Sequence, residues 1–220
     1  VARAIEVRGL KVAVSEVPIP VSFGPAFEGE RVRGEDIYLE AGGGRTSMVE
    51  WVTSKRLEEV VDGSVEVIGP ELSDVEAESR LPVAIAVEVA GRNMQEDYEP
   101  ILERQIHHLV NYAQGVMHIG QRDIAWIRVG KSAVEKGFKL ADIGVLLHAK
   151  LHQDFGRIFD KLQVKIYTDE AKVSDIVEQA REVYRNRDAR IEGMTDETTD
   201  TYYSCTLCQS FAPSHVCVIS

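Results

Sequence analysis

Not one of the first 204 residues is a cysteine; the chain's three, Cys205, Cys208 and Cys217, all fall in its last 16 residues. That distribution excludes a disulfide framework as the scaffold of the fold, and an odd, clustered set of thiols in a reducing compartment points to metal. No apolar run approaches the roughly 20 residues of a membrane span. Charges interrupt the opening VARAIEVRGL where a signal peptide would carry its apolar stretch, so the chain reads as cytoplasmic and not membrane-bound. Basic residues are also in deficit, 25 against 36 acidic ones, and the net charge of -11 is spread along the chain. Attraction to nucleic acid is thereby excluded, and a cationic partner surface fits better. The absent initiator Met and the abrupt end suggest a piece of something longer.

What is present is a core: 220 residues with 44% apolar content bury enough for one large domain or two small ones. Residues 1–35 carry AIEV and KVAV around Gly9 and then the Pro- and Gly-rich PIPVSFGPAFEGE, a linker that leads into the domain. Strand character follows at 36–40, 65–68, 82–89, 123–129 and 163–167, where β-branched residues alternate with others. Leu102, Ile106, Leu109, Ala113 and Val116 form one face of a long helix opening near Asp97. Val173, Ile176, Val177, Ala180 and Val183 repeat the pattern, and Leu147, Leu151, Phe155 and Ile158 do so more loosely across Gly156. The expected fold is α+β, a mixed sheet covered on one side by amphipathic helices over 36–191. A polar linker at 192–201 then leads to a new element over 202–220, which holds the cysteines.

Several motifs invite a chemical reading. Gly130-Lys131-Ser132 follows a strand as a phosphate loop would, but the glycine required five residues earlier is Ala125, and Ser132 with Glu135 has capping-box spacing. His148 and His152 stand four apart on a helix, as zinc-binding imidazoles do, yet Ala149 follows where a zinc hydrolase has its glutamate; partly buried helix histidines are the plainer reading. Gly42-Gly43-Gly44 matches no nucleotide fingerprint and reads as a loop. Trp126 on a central strand, beside Arg128 and shortly after Arg122, offers an indole among guanidinium groups for an adenine and phosphates; a core tryptophan is the alternative. In the tail, Cys205-x2-Cys208 places two thiolates on one turn and the x8 return brings Cys217 to the same centre. Thiolates choose zinc, nickel, copper or iron–sulfur over hard cations. His215 completes a Cys₃His zinc set, whereas an iron–sulfur cluster needs a fourth thiolate beyond Ser220.

The run YYSCTLCQSFAPSHVCVIS (202–220) resembles the opening of the A-cluster motif of the acetyl-CoA synthase family, the nickel and iron–sulfur partner of carbon monoxide dehydrogenase. FEGERVRGEDIYLE, MQEDYEPILERQIHHLVNYAQG, HIGQRDIAWIRV and DTYYSC resemble the middle region of the same enzymes, so the likeness covers nearly the whole chain. The resemblance implies synthesis of acetyl-CoA from carbon monoxide, coenzyme A and a methyl group delivered by a corrinoid iron–sulfur protein, at a [4Fe-4S] cubane joined to a dinuclear nickel centre. It implies that Cys205, Cys208 and Cys217 are three of the cubane ligands, that Cys208 bridges to the proximal nickel, and that Phe211 faces that nickel. The family's fourth cubane cysteine and its Cys-Gly-Cys lie downstream of Ser220, and its N-terminal domain precedes residue 1, so the chain alone is expected to be inactive. The alternative is a non-catalytic binding or structural module ending in a zinc knuckle.

Overall fold

The computed structural model describes residues 3–7, 10–14, 34–94, 98–100, 102, 103, 106, 116–119, 126–192 and 195, with backbone alone for 3–7, 10–14, 116–119 and most of 187–192. Strands β1 (Arg3–Val7) and β2 (Leu10–Val14) form an antiparallel hairpin. Then come β3 (Ile37–Gly42), β4 (Met48–Ser54), β5 (Val65–Ile68), β6 (Ser79–Arg80), β7 (Val83–Ala90), β8 (Val116–Ile119) and β9 (Trp126–Gly130). Helices α1 (Lys131–Glu135) and α2 (Leu140–Phe155) follow, then β10 (Lys161–Tyr167) and α3 (Glu170–Glu192). The architecture is α+β, and its mixed pairing is divided between two four-stranded sheets, ordered β4-β7-β10-β5 and β6-β3-β9-β8.

The logic of the first sheet is written in β7, VAIAVEVA. Side chains alternate across a strand, so Val83, Ile85, Val87 and Val89 share one face while Ala84, Ala86, Glu88 and Ala90 share the other. Antiparallel β10 meets it in phase, Leu162 opposite Val89, Val164 opposite Val87 and Ile166 opposite Ile85. The large face joins the main core together with Leu39, Ile127 and Val129 of the second sheet and Leu147 and Leu151 of α2. The small face admits α3, whose Val173 and Ala180 pack with Val49 and Ala84 in a separate cluster. The two long helices therefore cover opposite faces of this sheet rather than one. A strand whose two faces are both apolar, one bulky and one small, needs cover on both sides.

The starts of α1 and α2 are capped in different ways, and the first departs from expectation. Ser132 lies inside α1, whose N-cap is Gly130 without a side-chain hydrogen bond. Lys131 instead donates to the Glu78 carboxylate at 2.9 Å and to the Glu35 carbonyl at 3.0 Å. The first turn of α2 is capped from far away: the Glu71 carboxylate accepts from Leu140 N–H at 2.6 Å and Ala141 N–H at 3.2 Å, while Asp142 accepts from Lys139 N–H at 2.8 Å. A carboxylate at a helix N-terminus satisfies orphan donors and the positive end of the dipole together. Within the helix stretch near 98–106, Leu102 and Ile106 are fully buried as their spacing predicts. Glu99 and Glu103 turn the other way and accept from Ser54 N–H at 2.7 Å and Val52 N–H at 3.1 Å, on the outer edge of β4. Leu109 and Ala113 lie outside the described residues. Val116, expected on this helix, opens β8, since Gly115 and Gly120 bracket the run VMHI and interrupt the helical stripe.

Gly144 decides how closely α2 approaches the sheet. A Cβ there would meet Val65 Cγ1 at 2.5 Å and Val164 Cβ at 3.4 Å. Gly→Ala in a helix ordinarily gains about 1 kcal/mol, but forcing a methyl against a stiff β-branched neighbour costs about 1–3 kcal/mol. Gly144→Ala is therefore expected to lower unfolding free energy in urea; a stabilised variant would mean that the α2–β5 contact has slack.

Candidate functional site

At the centre of the second sheet stands a nearly buried carboxylate. Glu40 of β3 lies opposite Arg128 of β9 and Arg80 of β6, so strand register alone brings two guanidinium groups to one acid. Arg128 Nε donates to Glu40 Oε2 at 2.7 Å, Arg45 Nη1 donates to Oε1 at 3.1 Å, and Arg80 Nε stands 3.8 Å from Oε1. Arg45 arrives from the turn between β3 and β4, where Gly42, Gly43 and Gly44 have φ of 77, 67 and 75°. Three successive left-handed residues are open to glycine at little cost and strained for almost anything else. The turn, closed by Gly42 N–H donating to Thr46 Oγ1 at 2.6 Å, also lays Gly43 against Trp126, where a Cβ would come within 3.6 Å of the tryptophan's Cβ. What the sequence presents as a plain loop is the device that aims Arg45.

Arg128 has a second partner. Its guanidinium carbon lies 4.2 Å above the centroid of the half-buried Trp126 ring, within cation–π range. Beside this stack opens a cavity of about 380 Å³, lined by Gly34, Ile37, Glu40, Arg45, Glu78, Arg80 and Arg128. The Arg45 and Arg80 side chains are 58% and 55% exposed, which leaves guanidinium N–H groups free to meet an anion. Three guanidinium groups outnumber two carboxylates here, in a chain whose net charge is -11. Burial works to raise the Glu40 pKa, but the Arg128 hydrogen bond and the charges of Arg128, Arg45 and Arg80 outweigh it and hold the carboxyl below its ordinary value. Glu78, in a left-handed conformation with φ of 68°, is likewise held low by Lys131. Both acids are ion-paired, so the guanidinium groups of Arg45 and Arg80 are what the described lining offers to an anion.

Of the residues singled out from sequence, Arg128 lines this cavity and Trp126 stacks against Arg128. Arg122, Cys205, Cys208, Phe211, His215 and Cys217 lie outside the described residues. Glu40, Arg45 and Arg80 carry no sequence signal, because their convergence depends on strand pairing between residues up to 88 positions apart. His148 and His152 lie elsewhere, and both aim Nε2 at Asp62 Oδ1, at 3.1 and 2.9 Å. No helix among the described residues is long and apolar enough to cross a membrane.

Comparison with known families places the chain. Residues 19–173 match the family model of the beta subunit of the CO dehydrogenase/acetyl-CoA synthase complex, and residues 184–220 match the C-terminal model of the ACS/CODH beta subunit. The chain belongs to this beta subunit family of the CO dehydrogenase/acetyl-CoA synthase complex. It is 50% identical over 217 residues to the carbon monoxide dehydrogenase/acetyl-CoA synthase subunit alpha of Moorella thermoacetica, covering 99% of this chain and 30% of that one. It is 44% identical over 220 residues to the acetyl-CoA decarbonylase/synthase complex subunit beta 1 of Methanocaldococcus jannaschii, covering 100% and 29%. Against the corresponding beta subunit of Methanopyrus kandleri it is 44% identical over 202 residues, covering 92% and 43%. The chain thus spans less than half the length of these curated relatives. The matched region of this synthase family contains the whole arginine cavity and, in its C-terminal part, all three cysteines.

The sign of Glu40's shift sets a pH test. A carboxyl whose folded pKa lies below its unfolded value contributes stability that is complete above the ordinary value, 4.5 here, and is lost as pH falls through the folded pKa. Glu40→Gln should melt lower than the parent at neutral pH, with the gap narrowing as pH falls below 4.5. Melting curves followed by circular dichroism from neutral to acid pH check this, and a constant gap would sink the assignment.

Proposed function

We propose that this chain is part of a CO-methylating acetyl-CoA synthase, an acyltransferase that joins carbon monoxide, a corrinoid-borne methyl group and coenzyme A. The observation that carries the reading is the match of nearly the entire chain, at half identity, to a protein whose name states acetyl-CoA synthase. The donor set agrees with it: Cys205, Cys208 and Cys217 are soft thiolates, suited to a [4Fe-4S] cluster and to nickel. When bound, such a centre supplies an electron-rich nickel able to take up carbon monoxide and a methyl group. The chain's own residues would hold and shield it: Cys205 and Cys217 would be ligands of the cubane, Cys208 a ligand shared with nickel, and the apolar Phe211 would keep water from the reacting position. Carbon monoxide dehydrogenase and the corrinoid iron–sulfur protein are the partners in this reading. Its localisation is cytoplasmic.

The arginine cavity takes the coenzyme. Coenzyme A carries an adenine and phosphates, and the half-buried Trp126 indole stacked with Arg128, whose cavity Arg45 and Arg80 also line, with Arg122 shortly before the strand, supports that pairing of an aromatic face with anions. Glu40 holds the three guanidinium groups together and leaves part of each free to turn toward phosphate. In the Trp51→Phe chain, where Trp126 is the remaining tryptophan, coenzyme A is expected to change indole fluorescence saturably. Arg128→Ala should weaken that titration roughly tenfold or more, the loss of one charge-assisted contact of about 1.5–3 kcal/mol. An unchanged signal at saturating coenzyme would remove Trp126 from the site.

The bridging role of Cys208 separates the synthase from a zinc knuckle. In the full-length protein, Cys208→Ser should lower nickel content and methyl-transfer rate together, since an alkoxide oxygen is a poorer nickel bridge. Cys217→Ser should lower iron first, and His215→Ala should change neither. Metal analysis beside methyl-transfer kinetics decides; if His215→Ala loses metal as badly as Cys208→Ser, the Cys₃His zinc site takes the place of the cluster.

A further inference from the structure

The histidine pair on α2 has a third member that spacing does not show. Asp62, in the turn between β4 and β5, directs a single oxygen at both imidazoles, and the same oxygen accepts from Leu162 N–H at 3.0 Å where β10 begins. The two rings are 4.4 Å apart, and His152 is steadied edge-on against Phe159 at 4.9 Å. One ligand atom from each of Asp62, His148 and His152 falls within 4.8 Å of the other two. The helix beneath is anchored by Leu147 and Leu151, which are buried in the main core. Gly63, at φ of 74°, lies against the pair: an added Cβ would stand in contact with His148 Nε2 at 3.8 Å. The His148 and His152 side chains are 26% and 27% exposed, so one side of the cluster is walled by protein and the other faces water.

We propose that Asp62, His148 and His152 form a site for a divalent transition ion of borderline softness, zinc or its nickel and cobalt neighbours. Two imidazole nitrogens and one carboxylate oxygen are the mixed donor set that such ions take, and the open side leaves room for water as a further ligand. Each neutral imidazole binds through the lone pair of its Nε2, with the ring proton carried on Nδ1. The ion then sits between groups that already converge, needing each nitrogen to settle about 2.0–2.1 Å from it. Asp62 is oriented by the backbone N–H of Leu162, the type of outer hydrogen bond that fixes a ligating carboxylate. Its carboxyl is ready as an anion: burial raises its pKa, but the Leu162 N–H and the two imidazoles bring it down to about 2. Ala149 follows His148 where a hydrolytic site would have its base, so the ion's work is to pin α2 to the β4–β5 turn and to the first residue pair of β10. This site is independent of the cysteine centre in donor type and in sequence.

Cobalt(II) makes the site visible. In the Cys205→Ser, Cys208→Ser, Cys217→Ser chain, which has no thiolate left, one equivalent of cobalt should bind with d–d absorption and without thiolate charge transfer, and zinc should displace it. Asp62→Asn and His152→Gln should each weaken binding roughly tenfold or more, with far-ultraviolet circular dichroism reporting that the variants fold. A measurement on the unaltered histidines guards against unfolding: zinc should raise the melting temperature of the thiolate-free chain, and the rise should vanish in Asp62→Asn. If cobalt fails to bind, or binds equally well without His152, or if zinc leaves the melting temperature unmoved, the triad is a hydrogen-bonded latch and the proposal falls.

Discussion

The phase between β7 and β10 is the constraint on which the rest of the molecule rests. A slip of one residue would turn Leu162, Val164 and Ile166 from the bulky face to the alanine face and strand Gln163 and Lys165 in the main core. In phase, Lys165 and Gln163 meet Glu88 on the α3 side, where the Lys165 ammonium reaches the carboxylate at 2.9 Å. Everything that positions the two candidate sites follows from that alignment. The bulky face receives α2 and with it the histidines, and the shared core of Leu39, Ile127 and Val129 ties in the sheet that carries Glu40.

Glu40 does for the second sheet what no apolar residue could. Like charges from two strands and one turn would repel at the distances seen, so the carboxylate is what permits Arg45, Arg80 and Arg128 to converge. The same residue tempers the site, since a phosphate competes with it for guanidinium donors. An arginine cluster that is half satisfied can exchange an internal partner for a ligand without first being desolvated as three bare cations. Convergence on one acid and exposure of the remaining donors are thus two aspects of one arrangement.

How much of this is legible in the sequence varies with the range of the interaction. Strand β5 matches its expected span at 65–68, and β7 lies one residue from its own, because β-branched alternation is a local signal. The stripe of α3 is also local, and Val173 and Ala180 are buried as it requires. Strand β4 escapes notice since Glu50 interrupts an apolar run on the face that turns out to be buried. The side of the sheet to which each helix goes is misread from sequence because it depends on the alanines of β7, which say nothing until paired. Trp126 and Arg128, the stacked pair beside the cavity, stand out as neighbours on one strand, whereas Glu40, Arg80 and Arg45 become part of the site through register and a three-glycine turn. His148 and His152 announce their spacing but not Asp62, which reaches them from a turn 86 residues earlier.

The two glutamates on the stretch near 98–106 have a consequence beyond their hydrogen bonds. β4 is the last strand of its sheet, and Val52 and Ser54 point their N–H groups away from β7. A bare sheet margin of that kind is a template on which the extended segment of another molecule can add itself, backbone to backbone. Glu99 and Glu103 occupy those donors with charged acceptors that no incoming strand can match, and they place negative charge along the margin. The two glutamates therefore guard that margin against self-association, and their loss would uncover donors on which a foreign strand could pair.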